Sequence, residues 1–296
     1  MKVLITGASG SIGGECLTQC LAHPSINTVV AFVRRELPGD VSDHPKLNTV
    51  LIKDFAQWPQ DVLEAHADAI GMIWAMGSYK GSRTADFEYP LAFIESMARV
   101  LETKSTRPRF RYVHLGGMFT QQDQEKMLFF LDYPRKIRGL AEAKVVEFAE
   151  NHDSLWKTLV VRPGGVATDK IMGSRMVASM LGENWCVRLE ELGAFMTYLA
   201  IDGEKESSVI QNAHITFAAL RSLSRLAEYL DSAFSWYFQS RGVTNRVGIA
   251  NTDDEYIKFY GLHGISVSAD DPIFDLFSQI LVQLRTSEAL VFAPAL

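Results

Sequence analysis

The feature that most constrains the fold is a glycine-rich loop close to the start of the sequence. The segment Gly7-Ala8-Ser9-Gly10-Ser11-Ile12-Gly13 follows an apolar run, Lys2 to Thr6, and precedes a helical pattern. In such a loop Gly7 permits a tight turn, Gly10 lets the backbone approach a pyrophosphate, and Gly13 lets the helix press against the strand. The helix N-terminus adds free N–H groups and a partial positive charge. The residues that we expect to contact a dinucleotide are Gly7, Ser9, Gly10, Ser11, Ile12 and Gly13.

Two arginines indicate which dinucleotide binds. Arg34 and Arg35 follow the second apolar strand pattern, about 20 residues after the loop, where an NAD site usually has an acid and an NADP site has arginine. A guanidinium matches the charge and geometry of the 2'-phosphate. The alternative is that both arginines are solvated surface charges, and the neighbouring Glu36 would favour NAD. We predict NADP as the cofactor.

Apolar strand patterns alternate with helical patterns through most of the chain. Near-continuously apolar strands of this kind are typical of a parallel sheet that is covered on both faces. We therefore predict a doubly wound α/β sheet, a Rossmann fold, and a candidate seventh strand at Ala213–Phe217. The six predicted strands lie near residues 2–6, 28–33, 48–52, 69–76, 109–115 and 157–161, and the helices near 11–23, 55–67, 85–103 and 135–151.

The end of the sequence is less regular. Residues from Leu220 to Phe234 carry an apolar stripe at helical spacing, and Asp271-Pro272 is typical of the start of a last amphipathic helix. We predict a Rossmann NADP-binding domain over residues 1–217. Residues 218–296 would form a mostly helical extension packed on the same domain, as part of a substrate pocket or as a homodimer interface.

Composition argues against several classes of function. A net charge of -6 and a pI near 5.7 provide no broad cationic surface for nucleic acid or an acidic membrane. No apolar run reaches the length of about 20 residues that spans a bilayer, and no signal-peptide pattern precedes the first strand. The histidines and cysteines lack metal-ligand spacing. We expect a cytoplasmic protein without a metal, whose partner is a small molecule.

The motifs together resemble the short-chain dehydrogenase/reductase superfamily, and most closely its extended and atypical, NmrA-like branches. The resemblance covers roughly residues 1 to 217. Beyond the glycine loop, the residues that carry it are Arg34, Asp54-Phe55, Ala75-Met76-Gly77 and Arg162-Pro163-Gly164. It implies that Asp54 and Phe55 lie beside the adenine and that Ala75, Met76 and Gly77 lie beside the cofactor ribose. It also implies that Pro163 belongs to the cofactor site.

The sequence departs from this family at its catalytic positions. The family's reductases use a serine after the fifth strand and a Tyr-x-x-x-Lys pair on the next helix. Here Gly116 and Gly117 follow the fifth strand, and Leu140 stands where the tyrosine is expected. Lys144 matches the lysine, which the resemblance implies would hold the nicotinamide ribose.

Three other side chains are candidate proton donors in place of the missing phenol. Tyr133 lies in a predicted loop just before the helix. His114 ends the fifth strand and would exchange a proton near neutral pH. Tyr79 is the weakest of the three.

Three functions remain open at this stage. The first is an atypical NADPH-dependent reductase that acts on an apolar small molecule, as in secondary metabolism, with a proton from Tyr133, His114 or water. The second is a non-redox isomerase or cyclase that keeps the fold, with the cofactor structural or absent. The third is a regulatory protein that senses NADP and binds a partner. We favour the reductase.

Overall fold

Seven parallel strands form a single sheet in the computed structural model. Their order is β3-β2-β1-β4-β5-β6-β9, so the direction of winding reverses between β1 and β4. This is the doubly wound arrangement predicted from the sequence. The strands are β1 Lys2–Thr6, β2 Thr28–Val33, β3 Leu47–Leu51, β4 Gly71–Trp74, β5 Phe110–Leu115, β6 Trp156–Arg162 and β9 Val209–Gln211.

The structure describes most of the first 215 residues and short stretches beyond them. By contacts the chain divides into two units, Met1–Leu220 and Arg221–Leu296. The predicted domain boundary after residue 217 lies outside the described residues. Those described are 1–104, 108–168 and 185–215, together with 248–251, 257–260 and 266–267.

Helices cover both faces of the sheet and bury its apolar strands. One face packs against α1 and α6, and the other against the helices α3, α4 and α5. The helices are α1 Ser11–Ala22, α2 Gly39–Ser42, α3 Gln60–Glu64, α4 Tyr89–Glu102, α5 Asp132–Asn151 and α6 Leu189–Asp202, with a π-helix at Thr84–Glu88 and a 3-10 helix at Gly203–Lys205. A small parallel pair, β7 Gly165–Ala167 and β8 Cys186–Arg188, lies beyond the end of β6.

The structure corrects several predicted boundaries. The seventh strand is β9, Val209–Gln211, and residues 212–215 form a helical turn rather than the strand predicted at Ala213–Phe217, of which residues 216 and 217 lie outside the described part. Helix α3 is much shorter than the helix predicted for residues 55–67. Helix α6 was not predicted at all.

The second unit is described only at three short strands. β10 Gly248–Asn251, β11 Ile257–Tyr260 and β12 Ser266–Val267 pair antiparallel in the order β10-β11-β12. The two amphipathic helices predicted near Leu220–Phe234 and after Asp271 lie outside the described residues.

Candidate functional site

The glycine loop adopts the tight strand-to-helix turn that its sequence predicts. Gly7 has a φ of 75°, a left-handed backbone conformation that residues other than glycine rarely adopt. The Gly10 amide donates to the Gly7 carbonyl at 2.9 Å, which closes the turn. A β-carbon on Gly13 would overlap that same carbonyl. Gly7 and Gly13 are therefore fixed by the fold itself, whereas Gly10 is exposed.

The loop after β1 lies against the loop after β4. A β-carbon on Gly7 would lie 2.6 Å from the carbonyl carbon of Ala75 and 2.9 Å from the Met76 nitrogen. β1 and β4 are the neighbouring strands between which the sheet reverses its winding, and ligands of open α/β sheets bind at this point. Ala75 and Met76 thus lie directly against the glycine loop, and Gly77 follows them in the chain.

The start of α1 is open to a ligand. Gly10 is its N-cap residue, and no side chain caps the free amides of the first turn. Ser9 and Ser11 are exposed, and Ile12 is half-buried. The uncapped N-terminus of a twelve-residue helix is well suited to bind phosphate.

The predicted cofactor residues after β2 and β3 differ in exposure. Arg34 and Arg35 are both exposed immediately after β2, so their guanidinium groups are free to meet an anion. Asp54 is exposed, and its Oδ1 accepts a hydrogen bond of 2.9 Å from the Ala56 amide. The Phe55 ring is instead buried against the rings of Trp58 and Trp74.

His114 is buried at the end of β5. Its Nδ1 lies 3.2 Å from the Tyr112 hydroxyl, and its neighbours in register are Trp74 and Val160. Burial, with a smaller contribution from the Arg138 charge, lowers the pKa of His114 to about 4. The expectation that His114 exchanges a proton near neutral pH is therefore wrong, because the ring is neutral there.

Helix α5 begins at Asp132, so Tyr133 lies in its first turn and not in a loop before it. The Tyr133 side chain is 52% exposed and lies close to Gly81, in the loop after β4.

Lys144 is exposed, and its Nζ donates to Glu147 Oε2 at 2.7 Å. Lys144 lies about 160° around the helix from the buried Glu142, so it does not face the strand ends.

The cation that does face the strand ends is Arg138. Its Nη2 donates to the Ser78 carbonyl at 2.7 Å, and its Nε lies 3.7 Å from Oδ1 of the buried Asp86. Asp86 also accepts hydrogen bonds from the amides of Ser78 and Ser82, at 2.8 and 2.6 Å. Arg138 therefore links α5 to the loop after β4. The sequence patterns did not single out Arg138 or Asp86.

A second unpredicted feature is a buried ion pair beneath the end of β5. Both Nε and Nη2 of Arg162 donate to Glu142 Oε2, at 2.8 and 2.6 Å. Glu142 Oε1 has no partner in hydrogen-bond geometry among the described residues. Burial raises the pKa of Glu142, and Arg162 opposes this rise. The buried stripe of α5 at Ile137, Ala141 and Val145 places Glu142 inward, a placement that its helical spacing would have predicted.

Pro163 follows β6 and joins the ends of two strands. Its carbonyl accepts a hydrogen bond of 2.9 Å from the Met118 amide, which ties the chain after β6 to the chain after β5.

In the described part of the chain, no group of His, Cys, Asp and Glu side chains could hold a metal ion. Among the same residues, no helix has the length and hydrophobicity needed to cross a membrane.

Comparison with known proteins establishes the fold. No family model matches the sequence, and no curated protein matches it significantly. A short-chain dehydrogenase/reductase from Burkholderia thailandensis is 16% identical with a TM-score of 0.51, over 71% of this chain and 89% of its own. Alfalfa vestitone reductase is 16% identical with a TM-score of 0.50, over 71% of this chain and 76% of its own.

A third solved structure is Gre2 from Candida albicans in complex with NADPH. It is 13% identical with a TM-score of 0.50, over 71% of this chain and 78% of its own. The chain therefore has the fold of short-chain dehydrogenase/reductase structures, and the predicted resemblance is confirmed at the level of the fold.

Proposed function

We propose that this protein binds NADPH at the crevice between β1 and β4 and uses it to reduce an apolar small molecule. The observation that carries the proposal is the contact between the glycine loop and Ala75. It brings an exposed Gly10 and an uncapped helix N-terminus to the switch point of the sheet. The likeness to reductase structures, one of them an NADPH complex, supports the same class of reaction.

The residues present fit this cofactor. The first-turn amides of α1 would hold the pyrophosphate, with Gly10 allowing close approach. Arg34 and Arg35 would bind the 2'-phosphate, since both are exposed after β2. Asp54 and the Phe55 backbone would border the adenine, and Ala75 to Gly77 the ribose.

The reaction also needs a proton and a group that stabilises negative charge. NADPH supplies a hydride when it is bound. We favour Tyr133 as the acid, because its exposed phenol lies beside the loop after β4 whereas His114 is neutral and enclosed. Tyr79, which is 81% exposed in the loop after β4, remains the weaker candidate. Arg138 would stabilise negative charge that develops on the substrate, in the place predicted for Lys144.

Cofactor binding is tested by replacing Gly10 with aspartate. Gly10→Asp places a carboxylate at the N-cap of α1, where it satisfies free amides and keeps the helix intact but repels phosphate. We expect the Kd for NADPH to rise by at least about 100-fold. The loss of stability should be small, since a β-carbon on Gly10 meets only the Gly7 carbonyl oxygen, at 3.3 Å. Gly39→Asp is the matched control, because a β-carbon there meets nothing within 4 Å and the change of charge is the same. Unchanged NADPH affinity in Gly10→Asp would refute the proposed site.

Turnover is tested separately, by following the absorbance of reduced nicotinamide with apolar aldehydes, imines and conjugated ketones. We expect stoichiometric consumption of NADPH with at least one of these classes. Tight NADPH binding with no consumption would instead support the sensor, and product formation without NADPH would support the isomerase or cyclase.

A further inference from the structure

Three aromatic rings form an exposed group beyond the end of β5. We call Phe119, Phe130 and Trp185 the aromatic patch. Their side chains are 48%, 54% and 53% exposed. Phe119 is the central ring, with its centroid 6.0 Å from that of Phe130 and 6.3 Å from that of Trp185. All three residues are thus about half exposed, although large aromatic side chains are usually buried.

Arg135 holds two of these rings in place. Its guanidinium lies 4.6 Å from the centroid of Phe130 and 5.9 Å from that of Phe119. The same group donates to the carbonyls of Phe119 at 2.6 Å and Phe130 at 3.3 Å. These contacts of Arg135 hold the aromatic patch in one arrangement before a ligand binds. Because the charge of Arg135 is directed to the carbonyls and rings, the patch presents ring surfaces to a ligand and not a free cation.

The aromatic patch is continuous with the candidate site. Phe119 comes two residues after Gly117, next to which Arg138 lies. The Trp185 carbonyl accepts a hydrogen bond of 2.7 Å from the Gly165 amide, just after Pro163. The rings therefore lie beside the segments that follow β5 and β6, at the same edge of the sheet as the candidate site.

A strained residue lies in the same segment. Leu131, the N-cap of α5, has φ 48° and ψ 41°, and it is the only described residue other than glycine with a positive φ. Such a conformation costs roughly 1 kcal/mol or more and persists where the surrounding structure requires it. It follows Phe130 directly, so this left-handed residue forms the turn between Phe130 and the start of α5.

We propose that the aromatic patch binds the planar aromatic part of the substrate. This inference rests on the proposed function, because it assigns a substrate class to that site. Ring surfaces without a free charge favour a flat, uncharged aromatic ligand over a saturated or anionic one. Because the aromatic patch lies at the same edge of the sheet as the candidate site, we favour a small-molecule substrate as its ligand over a second copy of the chain.

The test compares two probes of similar size, 2-naphthol and its fully saturated counterpart decahydro-2-naphthol, by calorimetry with NADPH present. We expect 2-naphthol to bind at least about fivefold more tightly. Phe119→Leu and Trp185→Leu keep an apolar side chain but remove a ring. Each should weaken the binding of 2-naphthol by about fivefold and leave the affinity for the saturated probe nearly unchanged. Phe87→Leu is the matched control, because Phe87 is also a partly exposed ring covered by an arginine, Arg83.

Equal affinity for the two probes, or insensitivity to Phe119→Leu, would overturn the inference. So would a dimer in sedimentation that Phe119→Leu and Trp185→Leu dissociate, because the rings would then form a subunit interface. Binding of 2-naphthol is measured again without NADPH. Ring-dependent binding of 2-naphthol by a protein that fails to bind NADPH would leave the aromatic site standing while the proposed function fails.

Discussion

The carboxylate of Glu142 fills the space that a side chain on Gly116 would need. A β-carbon built on Gly116 would overlap Oε1 of Glu142, and Glu142 is fully buried. Only a glycine fits at position 116, because the side chain of Glu142 on α5 lies directly beneath it. The missing serine and the buried Glu142–Arg162 ion pair are two parts of one packing arrangement.

We predict that Gly116→Ser destabilises the protein without creating a reductase serine. The new side chain would displace Glu142 from Arg162, and overpacking of this kind costs about 2 kcal/mol. Gly117→Ser is the matched control, because the nearest atoms to a β-carbon there are Thr120 Oγ1 at 3.8 Å and Arg138 Nη1 at 3.9 Å. Urea unfolding should place Gly117→Ser within about 0.5 kcal/mol of the parent protein. Equal stability of the two serine variants would contradict this packing.

A double-mutant cycle separates the overlap from the ion pair. Glu142→Ala leaves Arg162 without its buried partner and should lower the free energy of unfolding by about 3 kcal/mol. In that background Gly116→Ser should cost less than it does alone, because the overlapping carboxylate is gone. Additive losses in urea unfolding would show that Glu142 and Gly116 act independently.

Most of the sheet was predictable because buried parallel strands are continuously apolar and the glycine loop fixes the first βα unit. The strand order around β1 and β4 follows from that unit and the alternation of elements. Helix α6 was missed because it is broadly apolar, with Leu192, Phe195, Met196 and Leu199 all buried, so no polar face marks its period.

The orientation of Lys144 on α5 could not be predicted from the family spacing alone. Matching Lys144 to a four-residue family spacing ignored which side of the helix is buried. The buried stripe that contains Ala141 and Val145 turns Arg138 and Glu142 toward the strand ends and Lys144 outward. The pairing of Arg138 with Asp86 joins residues far apart in sequence, and no local pattern encodes it.

His114 should make stability depend on pH. Its folded-state pKa of about 4 lies below the ordinary value of 6.5, so the unfolded chain binds more protons between these values. This contribution is fully present above pH 6.5 and is lost as the pH falls toward 4. Between about pH 7.5 and about pH 5 the free energy of unfolding should drop by about 2 kcal/mol on this account.

The measurement is urea unfolding at both pH values for the parent protein and for His114→Gln. We expect the difference between the two pH values to be smaller in the variant by that amount, whatever its absolute stability. The same pH dependence in both proteins would mean that His114 is not a buried neutral ring.

Arg138 should influence the titration of His114 directly. Its positive charge is the second cause of the lowered pKa, after burial. Arg138→Ala should therefore raise the pKa of His114, though not to 6.5, because burial remains. Arg135→Ala is the control, since Arg135 contacts Phe119 and Phe130 instead. The imidazole nitrogen shifts in NMR report the titration, and an unchanged pKa in Arg138→Ala would place this cation away from the end of β5.

The two arginines after β2 should determine the choice of nucleotide. Arg34 and Arg35 are exposed, so removing their charges leaves the core intact. If they bind the 2'-phosphate, Arg34→Ala with Arg35→Ala should raise the Kd for NADPH by about 10-fold or more. The Kd for NADH, which lacks that phosphate, should stay nearly constant. Arg83→Ala is the control, an exposed arginine paired with Glu88. Equal losses for the two nucleotides would mean that the arginines supply general attraction and do not recognise the 2'-phosphate.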